Sequence, residues 1–300
     1  MTASPDSSGK IRPASTVILV REQNEELQVY LIKRSSRSGF FPGNYVFPGG
    51  TLEADDRQTE FWKDHLDLTT GEILQAFGPG LDLNGIISHG VAAVRETLEE
   101  AGVFLARKGK DSQGTFEGSC QRPPSGELEE GGFRRKVRDE GWTLSFSGLF
   151  PWSHWITPQG MPKRFDTRFF MALMPEGQLC IPDDQETVHG LWISPEQGLQ
   201  GNMRGELPLS PPTVITLHEL LQYGTLAALT QALRPGAWKE PRLPILYKLE
   251  KGGLIVEPWD LEYGKTIRIE PAGLEDKVAA VGEPFSRIWL KKGIWRPIKS

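Results

Sequence analysis

From Gly90 to Val103 the chain reads Gly-Val-Ala-Ala-Val-Arg-Glu-Thr-Leu-Glu-Glu-Ala-Gly-Val, and this stretch constrains the fold more than any other. Ala, Leu and Glu favour helix, and Gly102 stands where a helix would end. Ser88 is placed to cap its start, next to His89. Val94, Leu98 and Ala101 recur at i, i+4, i+7, so one side of the helix needs a core to pack against. Glu96, Glu99 and Glu100 recur at i, i+3, i+4 and share another face. Like charges at that spacing destabilise a helix unless something positive sits among them. Carboxylate oxygens crowded in this way suit Mg²⁺ or Mn²⁺. Three glutamates alone are equally what a solvated acidic face looks like, and the segments around them decide between the two.

Arg95-Glu96-x-x-Glu99-Glu100-x-Gly102-Val103 resembles the second half of the Nudix box, the signature of hydrolases that cleave a nucleoside diphosphate linked to another group. Phe47-Pro48-Gly49-Gly50 is similar to the glycine pair that opens the box, and Asp56 stands where the family has a Glu. In the family about seven residues separate that acid from the Arg; here positions 57 to 94 do, so the box is split by an insertion. Thr97 replaces the usual aliphatic residue at little change in shape. A split box resembles the branch of peroxisomal coenzyme A diphosphatases and their bacterial relatives. So do Phe41 to Gly50, Trp155-Ile156-Thr157-Pro158 and Arg164 to Phe170.

The resemblance implies a Nudix-type α/β/α sandwich with a mixed sheet, covering roughly residues 12 to 230. It also implies metal-dependent hydrolysis of a diphosphate linkage, with coenzyme A or acyl-coenzyme A as the expected substrate. ADP-ribose, NADH and dinucleoside polyphosphates are alternatives within the same chemistry. An inactive nucleotide-binding regulatory module is an alternative of another class. By the same resemblance, Glu96, Glu99, Glu100 and the Gly49 carbonyl would hold Mg²⁺ or Mn²⁺. Glu99, Glu100 or a further acid in the loop Ile181 to Thr187, with Glu186 ahead of Asp183 and Asp184, would take the proton of the attacking water. Arg95 is expected to pair with Glu53 or Asp56 and tie loop to helix.

Candidate substrate contacts come from the cations. Lys33, Arg34 and Arg37 precede a glycine turn, where they suit an anion, though surface charge reads the same way. Strand alternation puts Arg164, Asp166 and Arg168 on one face and Phe165, Thr167 and Phe169 on the other. Two Arg bracketing an Asp could form an ion-pair ladder or, since planar guanidinium suits phosphate, a fork for substrate; the resemblance implies substrate contact for at least one of Arg164 and Arg168. His154, between Trp152 and Trp155, is expected to be packed or hydrogen-bonded and not a base.

A net charge of −5 argues against a nucleic-acid partner, which needs clustered Lys and Arg, but not against a small nucleotide held through metal. Two cysteines, Cys120 and Cys180, are too few for a disulfide framework and point to a reducing, cytoplasmic setting. No apolar run is long enough to span a membrane. The ending Pro-Ile-Lys-Ser is not a peroxisomal signal.

Residues 1–12 are polar and expected to be disordered, 13–235 to form the Nudix domain, and 236–300 a β-rich extension. Within the insertion 57–88, Thr59 to Leu66 and Thr70 to Phe77 read as short helices that shape substrate access or elaborate the surface. In the extension, short runs at Leu243 to Tyr247, Leu254 to Val256, Thr266 to Ile269 and Ser286 to Leu290 suggest a lid or an oligomer contact, such as a homodimer.

Overall fold

In the computed structural model of the chain, residues 10–36, 39–109, 131–181, 187–233, 236, 238–267 and 269–299 are described. Alternating apolar residues build the first hairpin, β1 (Arg12–Gln23) and β2 (Glu26–Arg34). Asn24 and Glu25 turn it with φ of 53° and 63°, the left-handed pair that a two-residue hairpin requires. β3 (Tyr45–Val46) pairs with β2, and β4 (Gly49–Thr51) pairs with β1 at Thr16 and Ser15.

The insertion then supplies α1 (Thr59–Lys63) and α2 (Thr70–Phe77), the latter opened by a capping box between Thr69 and Glu72. The carboxylate helix, α3, runs Leu83–Ala101 and starts earlier than the sequence suggested. Its cap is Asp82, whose side chain accepts from Gly85 N, and Ser88 lies inside the helix bonded to the Asn84 carbonyl. The Asn84-Gly85 pair, poor in helix propensity, hid the first two turns. Gly102 ends α3 in the left-handed conformation, at φ 68°.

After α3 come β5 (Ala106–Lys108), α4 (Gly132–Glu140) and β6 (Trp142–Leu144), with β5 and β6 paired. β7 (Phe150–Ile156), β8 (Phe165–Leu173) and β9 (Thr187–Ile193) complete the main sheet. Its order is β3-β2-β1-β8-β7, with β4 on β1 and β9 on β2. β1 and β8 run parallel and their other neighbours antiparallel, so the sheet is mixed.

The pleat sorts side chains to two cores. Val17, Leu19, Tyr30, Ile32 and Phe170 face α3 and the insertion helices. Ile18, Val20, Val29, Leu31 and Met171 face α5 (Pro195–Arg204), α6 (Pro211–Leu220) and α7 (Leu226–Ala232). Helices on both faces of one mixed sheet make the α/β/α sandwich.

The insertion is not a surface elaboration. Trp62, Ile73 and Phe77 are fully buried in the core that holds α3. Among the described residues, none between 57 and 88 lines the large cleft described below. Truncating Trp62 to Ala should therefore cost about 3–5 kcal/mol of stability. The ratio of kcat/KM between two diphosphate substrates should stay constant, as a denaturant titration and paired assays would check.

The C-terminal segment forms a second sheet: β10 (Ile245–Lys248), β11 (Gly253–Val256), β12 (Arg287–Lys291) and β13 (Ile294–Ile298), in that order and antiparallel throughout. Thr266, Ile267 and Ile269 carry no strand, and the fourth strand is β13 instead. Its Pro297 is tolerated because β13 is an edge. One face of this sheet packs Leu254, Val256, Trp289 and Ile298 together. The other sends Ile255, Ile288 and Trp295 into the core beneath α5 and α6. Asn202 of α5 seals the contact, donating to the Trp295 carbonyl at 2.7 Å.

Candidate active site

α3 carries its apolar residues into the core and turns Glu96, Glu99 and Glu100 toward the loop that begins at β4. Arg95 is the hub of this contact. Its Nε and Nη2 donate to the two oxygens of Asp56 at 3.1 and 2.9 Å, a bidentate pair. Nη2 also reaches the Thr51 carbonyl at 3.1 Å, and Nη1 reaches Glu96 at 2.9 Å and Glu99 at 2.8 Å. Glu53 lies further off, at 3.7 Å. Burial alone would lower the Arg95 pKa, but Glu96, Asp56 and Glu99 outweigh it and hold the guanidinium charged.

The glycine pair meets the same helix. Gly49 N donates to Glu100 Oε2 at 2.7 Å. Gly49 has φ 155°, and a Cβ there would overlap the Ser15 carbonyl and Thr16 Cα, both backbone atoms that cannot yield. At Gly50 a Cβ would fall on the Glu96 carboxylate. Gly50→Ala should therefore displace Glu96 and lower kcat by about tenfold or more, the scale of losing an oriented ligand contact. A rate within twofold of wild type would show that Glu96 is free to move.

Burial raises the Glu96 pKa well above that of an ordinary glutamate; Arg95 opposes this, while Glu100 and Glu99 add to it. Glu99 is raised for the same first reason, with Arg95 again opposing. Acid is thus crowded here beyond what Arg95 neutralises.

The carboxylates line a cleft of about 840 Å³, within the range of small-molecule sites. Thr16, Gly49, Gly50, Glu53, Glu96, Glu99 and Glu100 form its acidic lining. Trp155, Phe165 and Phe169 form apolar walls, as do Leu246, Ile255 and Trp295 from the C-terminal sheet.

Residues 78–220 match a family model described as the NUDT19 Nudix domain. Residues 78–220 carry a Nudix domain. It is 28% identical to an acyl-coenzyme A diphosphatase NUDT19 of Gallus gallus, over 89% of this chain and 82% of that protein. To the Homo sapiens protein of the same name it is 29% identical, over 80% of this chain and 73% of the relative. A crystal structure of a NUDIX hydrolase from Alicyclobacillus acidocaldarius superposes with a TM-score of 0.58 at 24% identity, covering 76% of this chain and 98% of that one, which establishes the shared fold.

Nudix hydrolases use divalent metal ions, and the donors of this acidic lining fit one: all are oxygens, crowded beyond the charge of Arg95. Among the described residues, no three ligating side chains converge on a single point; Glu96 and Glu99 turn to Arg95, and Glu100 to the Gly49 amide.

The other site expectations divide. Arg34 lines the cleft. Arg164 and Arg168 do not. β8 alternates as expected, but the face it gives the cleft is Phe165, Thr167 and Phe169. Arg164 donates to the Thr157 carbonyl at 3.1 Å, and Arg168 is buried with its guanidinium 5.3 Å from the Trp238 ring. Alternation tells which residues share a face but not which face is the cleft, and two arginines are no proof of phosphate. Glu186, Asp183, Asp184 and Cys120 lie outside the described residues. His154 binds Asp166 at 2.6 Å, beside a buried Trp152, while Trp155 reaches the cleft wall.

The sequence reading missed Phe165, Phe169, Leu246, Ile255, Glu257 and Trp295 as cleft residues. One signal was available: Glu257 directly follows the apolar run Leu254 to Val256, where a surface acid is out of place.

Proposed function

We propose that this Nudix hydrolase cleaves the diphosphate of coenzyme A and its acyl thioesters, with Mg²⁺ or Mn²⁺ held by Glu96, Glu99, Glu100 and the Gly49 carbonyl. The observation that carries the reading is the mixed lining of the cleft. Glu96, Glu99 and Glu100 share its lining with Trp155, Phe165, Phe169, Leu246, Ile255 and Trp295, so one cleft offers oxygen ligands for a diphosphate and apolar surface for an arm attached to it. The relatives named acyl-coenzyme A diphosphatase point the same way.

The metal supplies charge neutralisation at the diphosphate and a more acidic water. This chain's residues do the rest. Arg95 ties the glycine loop to α3 through Asp56 and the Thr51 carbonyl, so that the Gly49 carbonyl and the three glutamates keep one geometry. One carboxylate, Glu99 or Glu100 on the helix or Glu186 in the loop before β9, accepts the proton of the attacking water. Arg34 faces the cleft where it can balance the negative charge of the nucleotide half.

The test is product release from coenzyme A, acetyl-coenzyme A, ADP-ribose, NADH and diadenosine polyphosphates, with Mg²⁺, Mn²⁺ or EDTA. Metal-dependent cleavage of coenzyme A to 3′,5′-ADP and phosphopantetheine is expected. Preference for another member would keep the chemistry and discard the substrate. Nucleotide binding without any cleavage would leave a regulatory module.

A further inference from the structure

The C-terminal sheet contributes an acid that hydrolysis of a diphosphate does not call for. Glu257, directly after β11, lines the cleft and is fully buried, and neither of its carboxylate oxygens has a hydrogen-bond partner. Its backbone is fixed, Glu257 N donating to the Ser286 carbonyl at 2.9 Å. Two charged side chains lie near without bonding it: Arg242, engaged at 2.5 Å with Glu219, and Glu219 itself. Burial pushes the Glu257 carboxyl up to about 8, Arg242 opposing and Glu219 adding to the rise. At neutral pH it is therefore a protonated acid with one O–H to donate and an oxygen to accept. A buried polar group left unpaired costs on the order of 1–3 kcal/mol, so such a group marks a place where a partner docks.

The surroundings specify that partner. Pro244, Leu246, Ile255, Glu257 and Trp295 are the cleft residues of this wall, and none is cationic. A phosphate, including the 3′-phosphate of an adenosine, meets no cation in that lining; Arg242 is outside it, ion-paired with Glu219. An apolar chain interrupted by an amide or hydroxyl has both a surface and a hydrogen-bonding end.

We infer that the C-terminal sheet is the specificity wall of the active site: Leu246, Ile255 and Trp295 hold the non-nucleotide arm of the substrate, and Glu257 anchors an uncharged amide or hydroxyl on it. The inference rests on the coenzyme A reading above, whose pantetheine arm has that chemistry. Glu257 is a specificity-determining residue, carried by the C-terminal segment and not by α3.

The test compares coenzyme A with a short diphosphate that carries the same nucleotide but a methyl group for the arm. Leu246→Trp, Glu257→Leu and Glu257→Gln are assayed on both, with kcat and KM separated. Leu246→Trp and Glu257→Leu should lower kcat/KM for coenzyme A at least tenfold more than for the methyl diphosphate, mainly through KM. Glu257→Gln, which keeps a donor and an acceptor, should recover most of that loss. Equal losses on the two substrates, or none on coenzyme A, would overturn the inference. Leu246 is only partly buried, so its variant serves if Glu257→Leu does not fold. Failure of the substrate reading shows separately, as a wild type that cleaves another diphosphate and spares coenzyme A. The same variants are then run on that diphosphate against its own methyl form, and equal losses again reject the wall.

Discussion

Glu99→Gln is expected to lower metal-dependent turnover by at least about two orders of magnitude and leave the protein folded. Gln has the shape of Glu, and the Glu99 side chain is 28% exposed at the cleft, so little packing is at stake. Arg95 still has Asp56 and Glu96 as charged partners, and burial disfavours the charge on Glu99 in any case, so folding loses little. What disappears is one of the carboxylates proposed to hold the metal. Metal ions contribute several kcal/mol to charge stabilisation in such reactions, and about 1.4 kcal/mol corresponds to tenfold in rate. Losing even half of that stabilisation gives the expected drop. The measurement is kcat on coenzyme A across a Mn²⁺ titration, beside a thermal melt. Undiminished kcat at every metal concentration would remove Glu99 from the metal set.

The parts of this protein that follow a period were legible in its sequence. Apolar alternation located β1 and β2, and the glutamate spacing located α3 and the side of it that faces the loop. Periodicity fails where the answer depends on what lies across from an element. β8 shows this at Arg164 and Arg168: alternation grouped them with Asp166, yet only the packing of β7, α6 and the C-terminal sheet makes the Phe165–Thr167–Phe169 face the cleft. The insertion shows it differently. Trp62, Ile73 and Phe77 look like the apolar side of two surface helices, and only the space left beside α3 makes them core. The C-terminal sheet shows it most fully. Leu246 and Ile255 lie about 200 residues from Gly49 and about 150 from Glu99 along the chain, and no local pattern links so remote a wall to a catalytic helix.

Arg95→Ala should be the most destabilising change in the active site, costing about 3–5 kcal/mol, because it strands a buried charge instead of deleting a pair. Asp56 has no exposure, and without Arg95 its carboxylate keeps only the Glu53 amide, at 2.8 Å. Glu96 and Glu99 lose their shared counter-charge at the same time. For a chain of this size that cost lowers Tm by on the order of 10 °C. Turnover should fall as well, but stability and geometry need separating, which a double variant does. Arg95→Met with Asp56→Leu removes both charges and fills their volume, so stability should return to within about 2 kcal/mol of wild type, as buried ion pairs replaced by apolar side chains generally allow. Turnover should not return, because the bond from Arg95 to the Thr51 carbonyl is then lost and the Gly49–Glu100 bond is left to hold the glycine loop to α3. Recovery of both would reduce Arg95 to a counter-charge. Recovery of stability alone would place its role in holding Gly49 and the three glutamates in one geometry, the part of the Nudix box that is preserved here across its long insertion.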